Sequence, residues 1–307
     1  MRLGSDHVRV RVPATSANLG PGFDCMGLAL GHYDTIDVRA LGSPEVVVEV
    51  TGEGAGELPT GEDHLIVRAI RATLDEVGAP QVGLHLVCEN RIPHGRGMGS
   101  SAAAVVAGIL AVRMLIGDPT ALGNTRAFRI ATQFEGHPDN AAPAILGGAT
   151  VSWTGADGPH ATELCLHPDI SPVVLVPEER CATRTARGVL PASVPHADAA
   201  FTAGRAALLV QAMCQRPELL FEATAERLHQ EYRAEVMPRT WTLLQQLRDA
   251  GQAAVVSGAG PSILVLERAG DGDRAAQVRR EIVAGLGEPW SVLTPGIATA
   301  GALAERL

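Results

Sequence analysis

The stretch PHGRGMGSSAAA, from Pro93 to Ala104, decides how the rest of the chain is read. Glycines stand at 95, 97 and 99, Ser100 and Ser101 follow, and alanines then open an apolar, helix-like run. A phosphate is held best where several N–H groups converge and no side chain keeps the backbone away. Glycines permit that approach, and a helix start adds unpaired amides and the positive end of its dipole. The hydroxyls of Ser100 and Ser101 can cap the first turn or reach a cation bound to the phosphate. A plain glycine turn with a serine cap fits the same letters, so the loop alone does not name a ligand. Two known phosphate loops are excluded. The Walker loop needs a lysine before its hydroxyl residue, and all 25 cations here are arginines. The dinucleotide fingerprint places its glycines directly after the first strand of a parallel unit, whereas these run into a double serine.

Composition narrows the partners. The chain has 307 residues, 46% hydrophobic and only 3% aromatic, enough for one large domain or two modest ones packed with aliphatic side chains. A net charge of −9 with dispersed arginines argues against nucleic acid, while leaving room for a small anion gripped by a few aimed guanidiniums. Five cysteines (25, 88, 165, 181 and 214) form no Cys-x-x-Cys pair and read as reduced, buried thiols of a cytoplasmic protein. The first ten residues carry no signal-peptide core. The longest apolar run, Ala102 to Ile116, is broken by Arg113 and is shorter than a membrane span, so it reads as a core helix and no membrane partner is expected.

Along the chain, VRVRV (8–12) alternates and stops at Pro13, which predicts a half-buried strand. TIDVRA and EVVVEV (45–50) continue as strands. Apolar positions Ile66, Ala69, Ile70, Leu74 and Val77 predict a helix over 63–77, ended by Gly78. QVGLHLVC (81–88) is a strand, and a helix begins at Ser100. A second helical stretch covers 119–135. A Gly/Pro/His-rich joint near 154–160 precedes a change of texture: PVVLVP (172–177) as a buried strand, three helical stretches over 197–250, then AAVVSGAGPSILVLE as strand, turn, strand. The expected division is residues 1–155 and 156–307, two α+β halves sharing a cleft.

With those residues in place, IPHGRGMGSSAAA resembles the ATP loop of the GHMP kinases, small-molecule kinases that do without a Walker lysine. Two more segments, PATSANLGPGFDCMGLAL (13–30) and EGHPDNAAPAILGG (135–148), resemble the homoserine kinase branch of that superfamily, and SGAGPSILVL (257–266) resembles the superfamily's C-terminal glycine turn, all in the expected order. The resemblance implies a two-domain GHMP kinase fold. Its N-terminal half is ribosomal-protein-S5-domain-2-like, its C-terminal half ferredoxin-like, and ATP and substrate meet in the cleft between them.

The resemblance also implies roles. ATP falls to Pro93, His94, Gly95, Arg96, Gly97, Met98, Gly99, Ser100, Ser101, Ala102 and Ala103. Mg²⁺ falls to Glu135 with Ser101, Ser100 being the second choice of hydroxyl. L-Homoserine carries a carboxylate, an ammonium and a hydroxyl. The carboxylate wants planar arginine forks, for which Arg187 and Arg233 match, with Thr183 adding a hydroxyl. Asn18 and Asp24 match the amino-acid site, Gly260 lies in the matched C-terminal turn, and His137 stands behind. Asn140 is the expected hydroxyl orienter; Asp139 is left open between base and substrate or metal partner. One departure is His64, where many relatives carry asparagine near the adenine. A homodimer is compatible with the resemblance. Two rivals stand beside this reading: a mevalonate- or phosphomevalonate-type kinase, and a non-catalytic ligand-binding regulator of the same fold. Retention of Glu135, Ser100 and Ser101 argues against the regulator.

Overall fold

A computed structural model describes residues 2–268, 272–285 and 289–307. The first half is a sheet with helices on one side. Strands β1 (His7–Ala17), β2 (Met26–Leu41) and β3 (Val46–Gly52) precede helix α1 (Leu65–Glu76), strand β4 (Gly83–Asn90) and helix α2 (Ser100–Leu115). Helices α3 (Asn124–Glu135) and α4 (Ala141–Leu146) follow, then strands β5 (Ala149–Gly155) and β6 (Gly158–Leu164). The second half contains β7 (Ile170–Pro177), α5 (Thr183–Gly188), α6 (His196–Cys214), α7 (Leu220–Ala223), α8 (Pro238–Asp249), β8 (Ala254–Val256), β9 (Ile263–Arg268), α9 (Gly272–Gly285) and β10 (Trp290–Leu293). A last strand, β11 (Leu303–Arg306), closes the count.

β11, β1, β2, β4 and β3 lie side by side in that order, with β5 added to β2 and β6 to β5. All these neighbours are antiparallel except β3 and β4, which run parallel. β1 does not stop at Pro13. A register shift between Pro13 and Ala14 absorbs the imino acid, and the strand runs on to Ala17, which carries the PATSA segment to the cleft. The joint near 154–160 is the tight turn of the β5–β6 hairpin. The expected cut at residue 155 thus falls between two strands of one sheet, and β11 returns to that sheet from the far end of the second half.

The second sheet has the order β10-β7-β9-β8, antiparallel throughout. Counted within its own half this is 4-1-3-2, the ferredoxin-like arrangement of a split βαβ unit. The fold is α+β, as expected. The three helical stretches over 197–250 resolve into α6, short turns around α7, and α8.

α2 is the hub. It is apolar on all sides and nearly every residue from Ala102 to Leu115 is buried, between α1, α3 and β1. A helix so enclosed fixes its N-terminus rigidly. The cysteines are free, but only Cys88 is buried and Cys165 is exposed, which corrects the expectation of five buried thiols. Burial pushes the Cys88 thiol up to about 12. No helix among the described residues is long and apolar enough to cross a membrane.

Candidate active site

The loop before α2 adopts the conformation its glycines permit. Gly95, Gly97 and Gly99 have φ of 64°, 71° and 70°, a region that side chains resist. At two of them the space is closed as well. A Cβ on Gly97 would overlap the carbonyl oxygen of Ser257, and one on Gly99 would overlap the hydroxyl of Thr15. The loop is held from both sides: the Thr15 N–H donates to the carbonyl of Met98 (3.1 Å) and the Ser257 hydroxyl donates to that of Gly97 (2.6 Å).

The serines are not caps. Gly99 occupies the N-cap position, and α2 makes no side-chain capping bond. Ser100 pairs with His94 Nδ1, and Ser101 donates to Glu135 Oε1 at 2.6 Å. Burial raises Glu135 above the usual carboxylate range, against the lowering effect of the Ser101 bond. One carboxylate and one hydroxyl, side by side at the mouth of a phosphate loop, are the donors a hard divalent cation takes when phosphates and waters complete its shell. Glu135 ends α3, with Gly136 in a left-handed C-cap (φ 79°) turning the chain into HPDN.

A cleft of about 310 Å³ opens between the halves. Its walls include Asn18, the loop from Gly95 to Ser101, Glu135, His137, Asp139, Asn140, Thr183, Arg187, Arg233, Gly258 and Ala259. Residues expected from five separate segments therefore meet in one place. Ala102 and Ala103 do not line it; they are buried inside α2. Gly260 does not line it either. It lies behind the loop, where a Cβ would meet Met237. Arg96 lines the cleft but aims its guanidinium at Glu53 (3.2 Å) and the carbonyl of Glu178 (3.0 Å).

The amino-acid side is made of paired charges. Arg187 meets Asp24 through both oxygens, at 3.1 and 2.5 Å, with about a third of each side chain exposed (34% and 36%). The bond to Asp24 raises the Arg187 pKa despite partial burial. Arg233 is 1% exposed, and burial pulls its pKa down to about 10. Its Nε donates to Ala186 O (3.2 Å) and its Nη1 to Gly258 O (3.0 Å). Nη1 also lies 3.1 Å from His229 Nδ1, whose Nε2 donates to Gly20 O at 2.8 Å. That fixes the tautomer, and burial holds the ring neutral. Asn18 is spent at both ends of its amide: Nδ2 donates to Gly258 O (2.7 Å) and Oδ1 accepts from the Asp24 N–H (3.0 Å). It shapes the NLGPGFD loop, with Asn18, Leu19 and Asp24 all at positive φ.

Between the two sides stand Asp139 and Asn140. Asp139 is 1% exposed and takes His137 Nδ1 on Oδ1 at 2.7 Å. Burial pulls the His137 pKa down, but its bond to Asp139 and that charge outweigh it, and the net shift is upward. Asn140 precedes α4 and accepts the Thr15 hydroxyl on Oδ1 (2.8 Å).

A second pocket, about 280 Å³, adjoins the loop through Gly95, Ser100 and Ser101. Ile36, Leu58, Pro59 and Leu65 make it largely apolar, and His64 forms part of its wall. His64 is 4% exposed, burial lowers its pKa, and its Nδ1 has no hydrogen-bond partner among the described residues.

The GHMP kinases N terminal domain family matches residues 64–148, and the GHMP kinases C terminal family matches residues 199–285. The chain belongs to the GHMP kinases. This GHMP kinase is 49% identical over 299 residues to the homoserine kinase of Clavibacter michiganensis subsp. michiganensis, covering 97% of the chain and 94% of that protein. It is 52% identical over 275 residues to the homoserine kinase of Streptomyces avermitilis, covering 89% and 90%. Among solved structures, a homoserine kinase from Cytophaga hutchinsonii shares the fold with a TM-score of 0.85 over 98% of both chains, at 24% identity. The mevalonate diphosphate decarboxylase of Staphylococcus aureus, at 14% identity and a TM-score of 0.67, shares the fold alone. The homoserine kinase branch is therefore favoured over the mevalonate-type rival and the regulator.

Three residues escaped the sequence reading. Thr15 and Ser257 sit inside the quoted motifs, but a lone hydroxyl carries no signal of its own. His229 lies four residues before Arg233, a helical spacing that could have marked it as that arginine's neighbour.

Proposed function

We propose that the protein transfers the γ-phosphoryl group of ATP to the side-chain hydroxyl of L-homoserine, forming O-phospho-L-homoserine. One observation carries the reading: a backbone phosphate loop and the guanidiniums of Arg187 and Arg233 line one cleft with Asn140 and Asp139, and Arg187 is paired with Asp24 behind it. The names of the relatives at about half identity support the same substrate.

The apolar pocket beside the loop takes the base, with His64 Nδ1 offering an acceptor or donor at its edge. The phosphates lie on the amides from Gly97 to Ser101 and at the positive end of α2. Glu135 and Ser101 would hold a Mg²⁺ ion, which would supply charge neutralisation for the phosphates. The substrate zwitterion exchanges one ion pair for two. Its carboxylate takes the forks of Arg187 and Arg233, and its ammonium takes Asp24, which gives up part of Arg187. Thr183, exposed at the start of α5, adds a hydroxyl to the same wall.

Asn140 aims the substrate hydroxyl at the γ-phosphorus. The hydroxyl oxygen forms the new P–O bond while the bridging bond breaks and ADP leaves with the electron pair. A loose transition state lets the hydroxyl proton depart late, so positioning matters more than a strong base. Asp139, with Oδ1 already engaged, serves to hold His137 and Asn140 in place. The product lies on the route to threonine, which fits a cytoplasmic biosynthetic enzyme.

An ADP-release assay with ATP and Mg²⁺ over homoserine, serine, threonine and mevalonate tests this. Homoserine should be turned over with the highest kcat/KM. No turnover of homoserine, or equal use of mevalonate, would end the proposal.

A further inference from the structure

Thr15 lies where the phosphate loop and the hydroxyl-orienting asparagine meet. It is fully buried near the end of β1, beyond the register shift at Pro13. Its main chain and side chain serve two neighbouring parts of the cleft. The N–H holds the loop at Met98 O (3.1 Å), and the hydroxyl donates to Asn140 Oδ1 (2.8 Å). Gly99 allows this approach, since a Cβ there would occupy the space of the Thr15 hydroxyl and come within 3.1 Å of Asn140 Oδ1.

An amide has one accepting and one donating end, and they are exchanged by rotating the group by half a turn. With Oδ1 holding a buried hydroxyl and one N–H of Nδ2 turned to Asp139, Asn140 has its second N–H left to offer a ligand. The neighbouring carboxylate agrees with that orientation, since Nδ2 points toward Asp139 Oδ1 at 3.4 Å. A flipped amide would set Oδ1 against that carboxylate, which has no proton to give, whereas the threonine hydroxyl can either donate or accept. Asp139 therefore sets which end of the amide faces it, and Thr15 anchors the other end.

We infer that Thr15 is a positioning residue that locks Asn140 with its Nδ2 as donor to the substrate hydroxyl oxygen, tying the acceptor's alignment to the loop that holds the phosphates. The inference rests on the reading of Asn140 as the hydroxyl's partner. It has a chemical consequence. Asn140 donates to the attacking oxygen and does not accept its proton, so the proton leaves by another route.

Thr15→Val removes the hydroxyl at nearly constant volume, and Thr15→Ser keeps it. With wild-type turnover of homoserine measured first, Thr15→Val should lower kcat about ten- to a hundredfold, the cost of a misaligned acceptor. KM for ATP and for homoserine should stay near wild type, and Thr15→Ser should recover most of kcat. Because Thr15 acts through Asn140, Thr15→Val should cost nothing further in an Asn140→Ala background. Wild-type kcat in Thr15→Val, or the same loss with and without Asn140, would overturn the inference. If valine prevents folding, Thr15→Ala in the same two backgrounds separates the same outcomes. A wild type inactive on homoserine would instead defeat the functional reading beneath it.

Discussion

The phosphate loop and the arginine pocket face each other across one cleft, yet they are built by opposite means. The loop is a run of seven neighbouring residues whose function comes from backbone direction, left-handed at three glycines and clamped by Thr15 and Ser257. The pocket gathers Asn18, Asp24, Arg187 and Arg233 from three distant segments, and its function comes from side-chain charge. The loop offers the backbone amides of a helix start. The pocket keeps every charge matched in the free state: Arg187 by Asp24, Arg233 by carbonyls and a neutral imidazole. A phosphate can thus dock on the first without rearrangement, whereas an amino acid entering the second must break a pair to make its own. That difference predicts separable failures.

The largest expected effect is at Arg233. Arg233→Ala should raise the homoserine KM and cost about 2–5 kcal/mol in kcat/KM, the price of leaving a carboxylate without its buried partner. The ATP KM should not follow. If both KM values rise together, the two regions are one unit and the comparison breaks. Gly97→Ala should do the reverse. A left-handed φ and a Cβ against Ser257 O destabilise the fold by about 1–3 kcal/mol and displace the phosphate amides. Thermal melting with ATP KM checks this, and an unchanged ATP KM would count against the loop.

Arg187→Ala is expected to be milder than Arg233→Ala. Its guanidinium is about a third exposed (34%), so water replaces part of what is lost, and about 1.5–3 kcal/mol in homoserine kcat/KM is the expected scale. A loss greater than that of Arg233→Ala would reverse the ranking of the two forks.

The smallest effect concerns acid stability on the pocket side. Burial keeps the His229 pKa below its usual value, so the folded chain resists a proton that the unfolded chain accepts near pH 6.5. Its contribution to stability is whole above that pH and is lost as pH falls. His229→Gln keeps a donor toward Gly20 and has no such titration. The wild type should therefore be the more stable at pH 8, with the gap narrowing by pH 5 in denaturant titrations. A gap independent of pH would place the sensitivity elsewhere.

The same contrast explains what could be read from the sequence. Backbone-built features are local, so Gly95 to Ser101 announced themselves by spacing, as did the helix they start. Most strands followed from alternation and turn residues, while the two-domain fold came from the resemblance. Non-local pairs leave no such mark. Nothing in the letters says that Asn18 is consumed by Gly258 and Asp24, that Ser100 turns to His94, or that Thr15 reaches Asn140 across 125 positions. Pro13 misled in the expected direction. Its missing N–H argued for a strand end, but a register shift kept the strand going. Gly260 looked like a site residue because its motif was intact, and it proved to support the loop from behind.

β11 carries a consequence for how the molecule is made and cut. Arg306 is bound to the carbonyls of Met114 and Ile116, at the far end of the helix whose start holds the phosphates, and its strand borders β1. On a ribosome, the nucleotide-binding half must wait with an open sheet margin until residues 303–306 emerge, nearly three hundred positions after its first strand. Trimming those few residues should therefore wound the ATP side of the enzyme, though they are the most remote from it along the chain.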